Sequence, residues 1–359
     1  MSHAWQAAWW AALGSADSRR RLVAVTARAD GGRLVGVLPL FVEPLGLSGA
    51  GGRVGRLLGT GSAAPDHLDA IVDRRDPRDT LRTLLEVVGS PAEALDVVAL
   101  TDLDEGASLR RATARWAMEA GLAWRERVAE RCPWLPLDGT YDTYVANLAA
   151  KHRYKLRRFD RRLRDAGRVD LEIAETPDEV RRSLEDVFRL HALRWAARRA
   201  RSSFDTPAVR AFHRRMAPEL AAVGGVRIHI LRLDGRAVAA NYCLRAAGRV
   251  CFYQPGFDPA FRRLQVGKLL LARVIEHAFA VGDESFDFLR GEEAYKFDWT
   301  HRVRPTYTIE VALTRRGRAW LRLDGLRRGV SGPAIRAARE AARLARGQRS
   351  APRPRAARR

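Results

Sequence analysis

Apolar and polar residues alternate in short bursts along the first third of the chain. Leu22 to Ala27 and Leu34 to Phe41 each read as a half-buried strand, and Asp30-Gly31-Gly32 between them predicts a hairpin. Trp5 to Leu13 is expected to be a short helix, and Gly46 to Gly61, with irregularly spaced glycines, a loop. His67 to Val72 reads as a strand, Pro77 to Val88 as a helix opened by proline, Ala94 to Leu100 as a strand and Ala107 to Ala120 as a helix. Strands alternating with helices predict an α/β (α+β) domain.

Cys132-Pro133-Trp134-Leu135-Pro136 reads as a linker, since two prolines within four residues forbid a continuing helix. Beyond it, Asp142 to Gly167 is predicted to be a basic amphipathic helix, with Leu148, Leu156, Phe159 and Leu163 as its apolar stripe. A strand over Val169 to Ala174 and a long helix over Pro177 to Arg199 follow. Val226 to Leu233, Ala237 to Leu244 and Val250 to Gln254, parted by Asp234-Gly235 and Ala247-Gly248, predict an antiparallel meander. Next come a basic turn, an apolar helix from Leu269 to Val281, and Phe286 and Phe288 alternating with Asp287 in a strand. Tyr307 to Leu313 reads as a strand and Gly317 to Arg328 as a helix, while the end of the Ala/Arg-rich tail, Pro333 to Arg359, is expected to be disordered. Three units are expected: residues 1–131, 132–313 and a basic extension over 314–359.

Composition narrows the function classes. The chain of 359 residues carries a net charge of +22, almost all of it from arginine, which favours anionic partners unless it reflects base composition alone. Three cysteines, Cys132, Cys243 and Cys251, have neither metal nor redox spacing, so no metal is expected and a reducing compartment is. No signal peptide is expected at the N-terminus, and no window supplies the roughly 20 apolar residues of a membrane span. A cytoplasmic protein is the expectation.

Two stretches concentrate chemistry. Arg262, Arg263, Gln265, Val266, Gly267 and Lys268 form a basic turn opening a helix, where free N–H groups and the helix dipole favour an anion. The run from Phe286 to Trp299 delivers Glu292, Glu293, Tyr295 and Lys296 at the end of an apolar strand. Acyl transfer needs a base, oxyanion donors and a proton for the leaving group. Glu292 or Glu293 suits the first role, Lys296 the second, and Tyr295 or Tyr253 the third. The plainer alternative makes the two glutamates solvated acids paired with arginine. His191, Arg194 and Trp195 share one helical face, as either an acceptor wall or core.

The turn after a meander resembles that of the GNAT acyltransferases, which holds the pyrophosphate of acyl-CoA. Asp287 to Trp299, Tyr253-Gln-Pro-Gly-Phe-Asp-Pro and His191-Ala-Leu-Arg-Trp together resemble the CelD-type acetyltransferase group, a GNAT branch associated with exopolysaccharide biosynthesis. Asp66-His67-Leu68-Asp69 fits that group's degenerate first half. The plan is similar to Fem-type aminoacyl transferases, with two GNAT-like halves in tandem. The resemblance implies mixed sheets flanked by helices, acyl-CoA as donor, and an amine or hydroxyl of a polar small molecule or glycan precursor as acceptor. It places Tyr253, Asp287 and Arg290 beside His191, Arg194 and Trp195 on the acceptor side. Aminoacyl-tRNA is the alternative donor, and a non-catalytic arginine-rich binder of nucleic acid or membrane surface the alternative outside enzymes.

Overall fold

The computed structural model describes residues 2–46, 51–61, 63 and 66–326. The first half runs α1 (His3–Trp9), β1 (Arg21–Arg28), β2 (Leu34–Pro44), β3 (Arg53–Leu57), β4 (Ile71–Val72), α2 (Pro77–Gly89), β5 (Val97–Asp104), α3 (Ser108–Glu119) and β6 (Ala123–Pro136). The second runs α4 (Tyr141–Asn147), α5 (Ala150–Asp165), β7 (Val169–Ala174), α6 (Pro177–Ala196), α7 (Pro207–Ala221), β8 (Val226–Leu233), β9 (Arg236–Ala246), β10 (Arg249–Phe257), α8 (Val266–Ala280) and β11 (Ser285–Asp287). β12 (Val303–Ala312) closes the sheet, and residues 315–326 are helical. The tail beyond lies outside the described residues. No helix among the described residues is long and apolar enough to cross a membrane.

One mixed sheet joins both halves in the order β1-β2-β3-β5-β12-β6-β11-β10-β9-β8-β7, with β4 paired to β2. The halves repeat one plan. In each, an antiparallel run leads to a strand, a helix and a parallel strand: β3, α2 and β5 in the first, β10, α8 and β11 in the second. In each, the next neighbour comes from the other half. β12 returns from the C-terminal side to pair with both β5 and β6, while β6 supplies Trp134 to Pro136 as the partner of β11. One sheet thus runs across the expected boundary at residues 131/132, with β12 between β5 and β6.

Cys132 to Pro136 is correspondingly strand, not linker. Proline lacks a donor, and here none is missed: the Pro133 carbonyl accepts the Phe288 N–H at 2.9 Å, while the Trp134 N–H donates to Arg302 on the other side at 3.0 Å. The upstream part of β6 carries no apolar alternation. It is held by charge instead, across to the neighbouring strand from Arg125 to Glu310 at 2.6 Å and to helix α3 from Glu126 to Arg110 at 2.7 Å. The Gly-rich passage contains β3, and the strand expected over 67–72 shrinks to β4 plus a bridge from Leu68 to Leu103. The basic helix is two helices, broken where Leu148 and Ala149 turn extended; Arg153 Nη1 caps the break by donating to the Ala146 carbonyl at 2.6 Å. Of the expected stripe, Leu156 and Leu163 are buried, with Leu148 and Phe159 packed against the same core.

Helices cover both faces. α2 and α3 bury Leu84, Leu85 and Leu109 against the first-half strands. α6 and α7 cover one face of β8 to β10, and α8 the other. The N-terminal tryptophans tie the halves together: Trp5 meets Phe212 of α7 edge-on at 5.0 Å, and Trp9 meets Phe41 of β2 at 5.2 Å.

Candidate active site

β10 and β11 are parallel neighbours for only three residues, ending at Cys251 and Asp287. β10 then bulges between Phe252 and Gln254 and runs on to Phe257 without β11. The strands part there, and a cleft of about 290 Å³ opens, lined by Phe252, Pro255 and Phe257 of β10, Tyr295 and Trp299 of the loop, and the start of α8. Arg262, Gln265, Val266, Gly267 and Lys268 all border it. Gln265 enters α8 at φ +57° and makes no side-chain cap, so this N-terminus keeps its positive end towards the cleft. The corresponding helix of the first half, α2, is capped by Asp76 and has Asp79 in its first turn. Carboxylates already occupy that end. Arg263 lies exposed outside the cleft lining, and Lys268 is paired with Asp298 at 2.7 Å.

α6 brings Arg194 to the same cleft. Its Nη1 donates to the Pro255 carbonyl at 2.7 Å, and its Nε is buried without a partner. Burial, then repulsion from Arg198, holds Arg194 below its ordinary pKa. Arg198 also lines the cleft. A half-buried guanidinium with no carboxylate within ion-pair distance among the described residues is a ready anion contact. His191 and Trp195, one turn apart, face each other instead. Trp195 Nε1 donates to His191 Nε2 at 2.9 Å, which leaves the proton on Nδ1 for Ser202 Oγ at 2.7 Å. Burial and the neighbouring Arg194 push His191 down to about 4, so it is a neutral core residue.

Lys296 does not reach the cleft. It is 3% exposed, and Nζ donates to the carbonyls of Leu289, Arg290 and Gly291 at 3.0, 2.7 and 3.0 Å, with Glu293 at 3.0 Å. It pins the loop. Gly291, at φ +98°, makes the turn that this pinning requires. Glu292 and Glu293 are exposed, the former paired with Arg131 at 3.0 Å. Tyr295 does line the cleft, its hydroxyl pushed up to about 12 by burial and by Glu293.

A second cavity, of about 540 Å³, lies between the halves on the other side of β10. Tyr253 faces it and donates to the Ala63 carbonyl at 2.6 Å; Leu289, Cys251 and Arg249 also line it. The 66–69 segment is wired into it residue by residue. Asp66 holds Arg290 at 2.8 Å, Asp69 accepts the Ser108 and Leu109 amides at the start of α3, and His67 stands between Asp104 and Asp287. Arg290 also contacts Asp102 at 3.1 Å; burial raises Asp102 to about 6 despite that cation. Asp287 is fully buried, with one oxygen accepting the Leu289 N–H at 2.8 Å.

Of the residues expected at the site, the structure gathers Arg262, Gln265, Val266, Gly267, Lys268, Arg194 and Tyr295 at one cleft, and Tyr253 at the other cavity beside Asp287 and Arg290. It sets His191, Trp195 and Lys296 aside as packing and pinning groups. Sequence reasoning missed Arg198, Asp104 and Arg249. Arg198 falls one turn after Arg194 and was legible; Asp104 and Arg249 meet only through the fold, at 2.9 Å.

Residues 150–297 match the family described as Acetyltransferase (GNAT) domain. The crystal structure of FemX superposes with a TM-score of 0.59 at 11% identity, over 84% of this chain and 90% of that one. The C-terminal domain (DUF2156) of a putative lysylphosphatidylglycerol synthetase from Agrobacterium fabrum gives 0.52 at 13%, over 85% and 88%. L-PGS from Bacillus licheniformis gives 0.51 at 12%, over 83% and 85%. A search of curated protein sequences finds no match. These likenesses establish a GNAT- and Fem-related fold.

Proposed function

We propose that this chain, whose residues 150–297 match an acetyltransferase (GNAT) domain, is an acyltransferase whose fork between β10 and β11 takes acyl-CoA, with acetyl as the preferred acyl group. The single observation that carries the reading is the cleft where an uncapped helix N-terminus, Arg262 and the carboxylate-free Arg194 converge beside an unpaired strand edge. An anionic pyrophosphate suits the α8 amides, and the free edge of β10 offers backbone groups to the donor's amide-bearing arm. The acceptor enters from the cavity between the halves. An amine or hydroxyl of a polar small molecule or glycan precursor, in exopolysaccharide or cell-envelope biosynthesis, is the acceptor class that the CelD-type resemblance supports. The degenerate first half shapes that cavity. Thermal denaturation with acetyl-CoA, longer acyl-CoAs and CoA tests the donor: a bound thioester at 100 times its Kd raises stability by about 2.7 kcal/mol, and Arg194→Ala should cut that gain to about 0.4–1.4 kcal/mol at the same concentration.

A second reading, aminoacyl-tRNA as donor, draws on α5. This helix packs beside α8 and presents Arg157, Arg158, Arg161 and Arg162 to solvent. A steep fall of tRNA affinity with salt, without stabilisation by any acyl-CoA, would select it over the first reading.

A further inference from the structure

We propose that His67, contributed by the first half, takes the proton from the acceptor nucleophile, and that this nucleophile is a primary amine of the polar acceptor, presented through an apolar segment of it. The inference rests on the acyl-CoA reading of the fork. His67 is nearly buried, its side chain 9% exposed, and it lines the cavity between the halves. Nε2 lies 3.0 Å from Asp287 Oδ2 and Nδ1 3.4 Å from Asp104 Oδ2, yet neither nitrogen has a hydrogen bond, and Asp287 Oδ2 has none either. Nε2 and Asp287 Oδ2 face each other at ion-pair distance, so the buried atom left to be matched is Nδ1, which is costly without a partner.

Their place in the fold gives the cluster its role. Asp287 is the last residue of β11 that pairs with β10, so the His67–Asp287 contact marks where the fork opens, across β10 from the donor cleft. Two residues on, Leu289 is held at φ +57°, a conformation that a bulky side chain rarely adopts, and it forms part of the cavity wall. By contrast Glu292 and Glu293 are exposed and paired with cations. The only base-capable imidazole on the cavity wall among the described residues is His67.

The walls indicate the acceptor. Trp5, Leu68, Leu220, Leu244 and Leu289 make them mainly apolar. Of the acids, Asp66 is taken by Arg290 and Asp69 by the start of α3, which leaves Asp104 beside His67, steadied by Arg249 at 2.9 Å. An ammonium approaching from the cavity can donate both to Asp104 and to Nδ1, which lie 3.4 Å apart. It gives one proton to Nδ1, with Asp287 holding the opposite side of the ring, and the freed amine attacks the thioester carbon. The C–N bond forms and the C–S bond breaks. The second amine proton goes to the departing sulfur, and the imidazolium returns its own to solvent.

Purified full-length chain, with His67→Gln, Asp287→Asn and Ala246→Trp variants, decides the matter. Acetyl-CoA binding is followed calorimetrically, and CoA thiol release with 2-phenylethylamine or 2-phenylethanol as probe. The expected result is saturable release with the amine and not the alcohol. His67→Gln should lower kcat by about 100-fold or more while acetyl-CoA affinity stays within twofold, and Asp287→Asn should fall between. Ala246→Trp, at the exposed cavity mouth, should raise the KM for the amine alone, which also guards against misfolding of the buried variants. Full turnover by His67→Gln, equal use of the alcohol, or acetyl-CoA binding with no amine turnover would overturn the proposal while leaving the donor reading intact. Stoichiometric zinc in the parent protein would overturn it too, since His67, Cys132 and Asp287 offer ligand atoms within 4.8 Å of one another. Failure of the parent to bind acetyl-CoA would remove the donor reading and this proposal together.

Discussion

The backbone of His191 on α6 lies directly over Gly256 on β10: a Cβ at Gly256 would sit 2.5 Å from the His191 nitrogen. Nothing flexible stands between the two chains, so neither can yield without the other. This contact fixes the height of α6 above the sheet, and hence the position from which Arg194 reaches the Pro255 carbonyl. Gly256→Ala should cost about 1–3 kcal/mol of stability and weaken acyl-CoA binding. Urea denaturation and calorimetric titration of the same preparation check both.

Arg194 should matter for holding the donor more than for the chemical step. Losing a charge-assisted contact of about 1.5–3 kcal/mol predicts a KM for acyl-CoA raised roughly 10- to 100-fold in Arg194→Ala. Arg194→Lys should recover little, because the planar fork that serves both Pro255 and the cleft is lost. Steady-state kinetics with varied donor distinguishes this from a fall in kcat alone.

Lys296 and Glu292 should separate cleanly. Removing a buried cation that serves three carbonyls and a carboxylate, as in Lys296→Met, leaves those acceptors unmatched and is expected to cost about 3–5 kcal/mol. Glu292→Gln breaks only an exposed pair, worth at most about 1 kcal/mol, and activity should stay within threefold. Melting temperatures and turnover of the two variants are the measurement.

Acid should unfold this protein through its buried histidines. Burial lowers His191 to about 4 and His213 to about 3, from an ordinary 6.5. Their folded pKa values lie below the unfolded one, so the stability they confer is present above pH ~6.5 and drains away as the pH falls towards 4. At pH 5 the two together account for a loss of about 4 kcal/mol, of which Asp102, raised to about 6 and acting in the opposite sense, returns about 1. A denaturation midpoint that is unchanged between pH 7.5 and 5 would contradict this.

A fragment of residues 132–313 should not fold alone. It contains β12 without β5, and all but the last five residues of β6 are missing, so most of the ten-residue β12 would expose both edges. Expression of that fragment beside one of residues 1–326 tests it: aggregation of the first and solubility of the second are expected.

Much of the second half was legible because its signals are local. The meander of β8 to β10 is marked by Asp234-Gly235 and Ala247-Gly248, both at turns with positive φ, and Val169–Ala174 alternates as a strand should. The basic turn was equally visible, since Gly267 and Lys268 precede an unbroken apolar helix. What stayed hidden depends on partners distant in sequence. β6 is charged along most of its length, and its charges are met by Glu310 on β12 and Arg110 on α3, both outside the strand's own local signal. Lys296 looks catalytic in a row of letters; three carbonyls that converge only after Gly291 turns make it a pin. The pairing of His67 with Asp287, 220 positions later, has no local mark at all.

The reciprocal placing of β6 and β12 bears on inheritance as well as on folding. A single genetic crossover between two such proteins, anywhere in the linker after Pro136, would transplant α4 to β11 together with a foreign β12, and that strand would then have to match the recipient's β5 and β6. To exchange the donor-binding half intact, recombination must cut twice, once after residue 136 and again before residue 303.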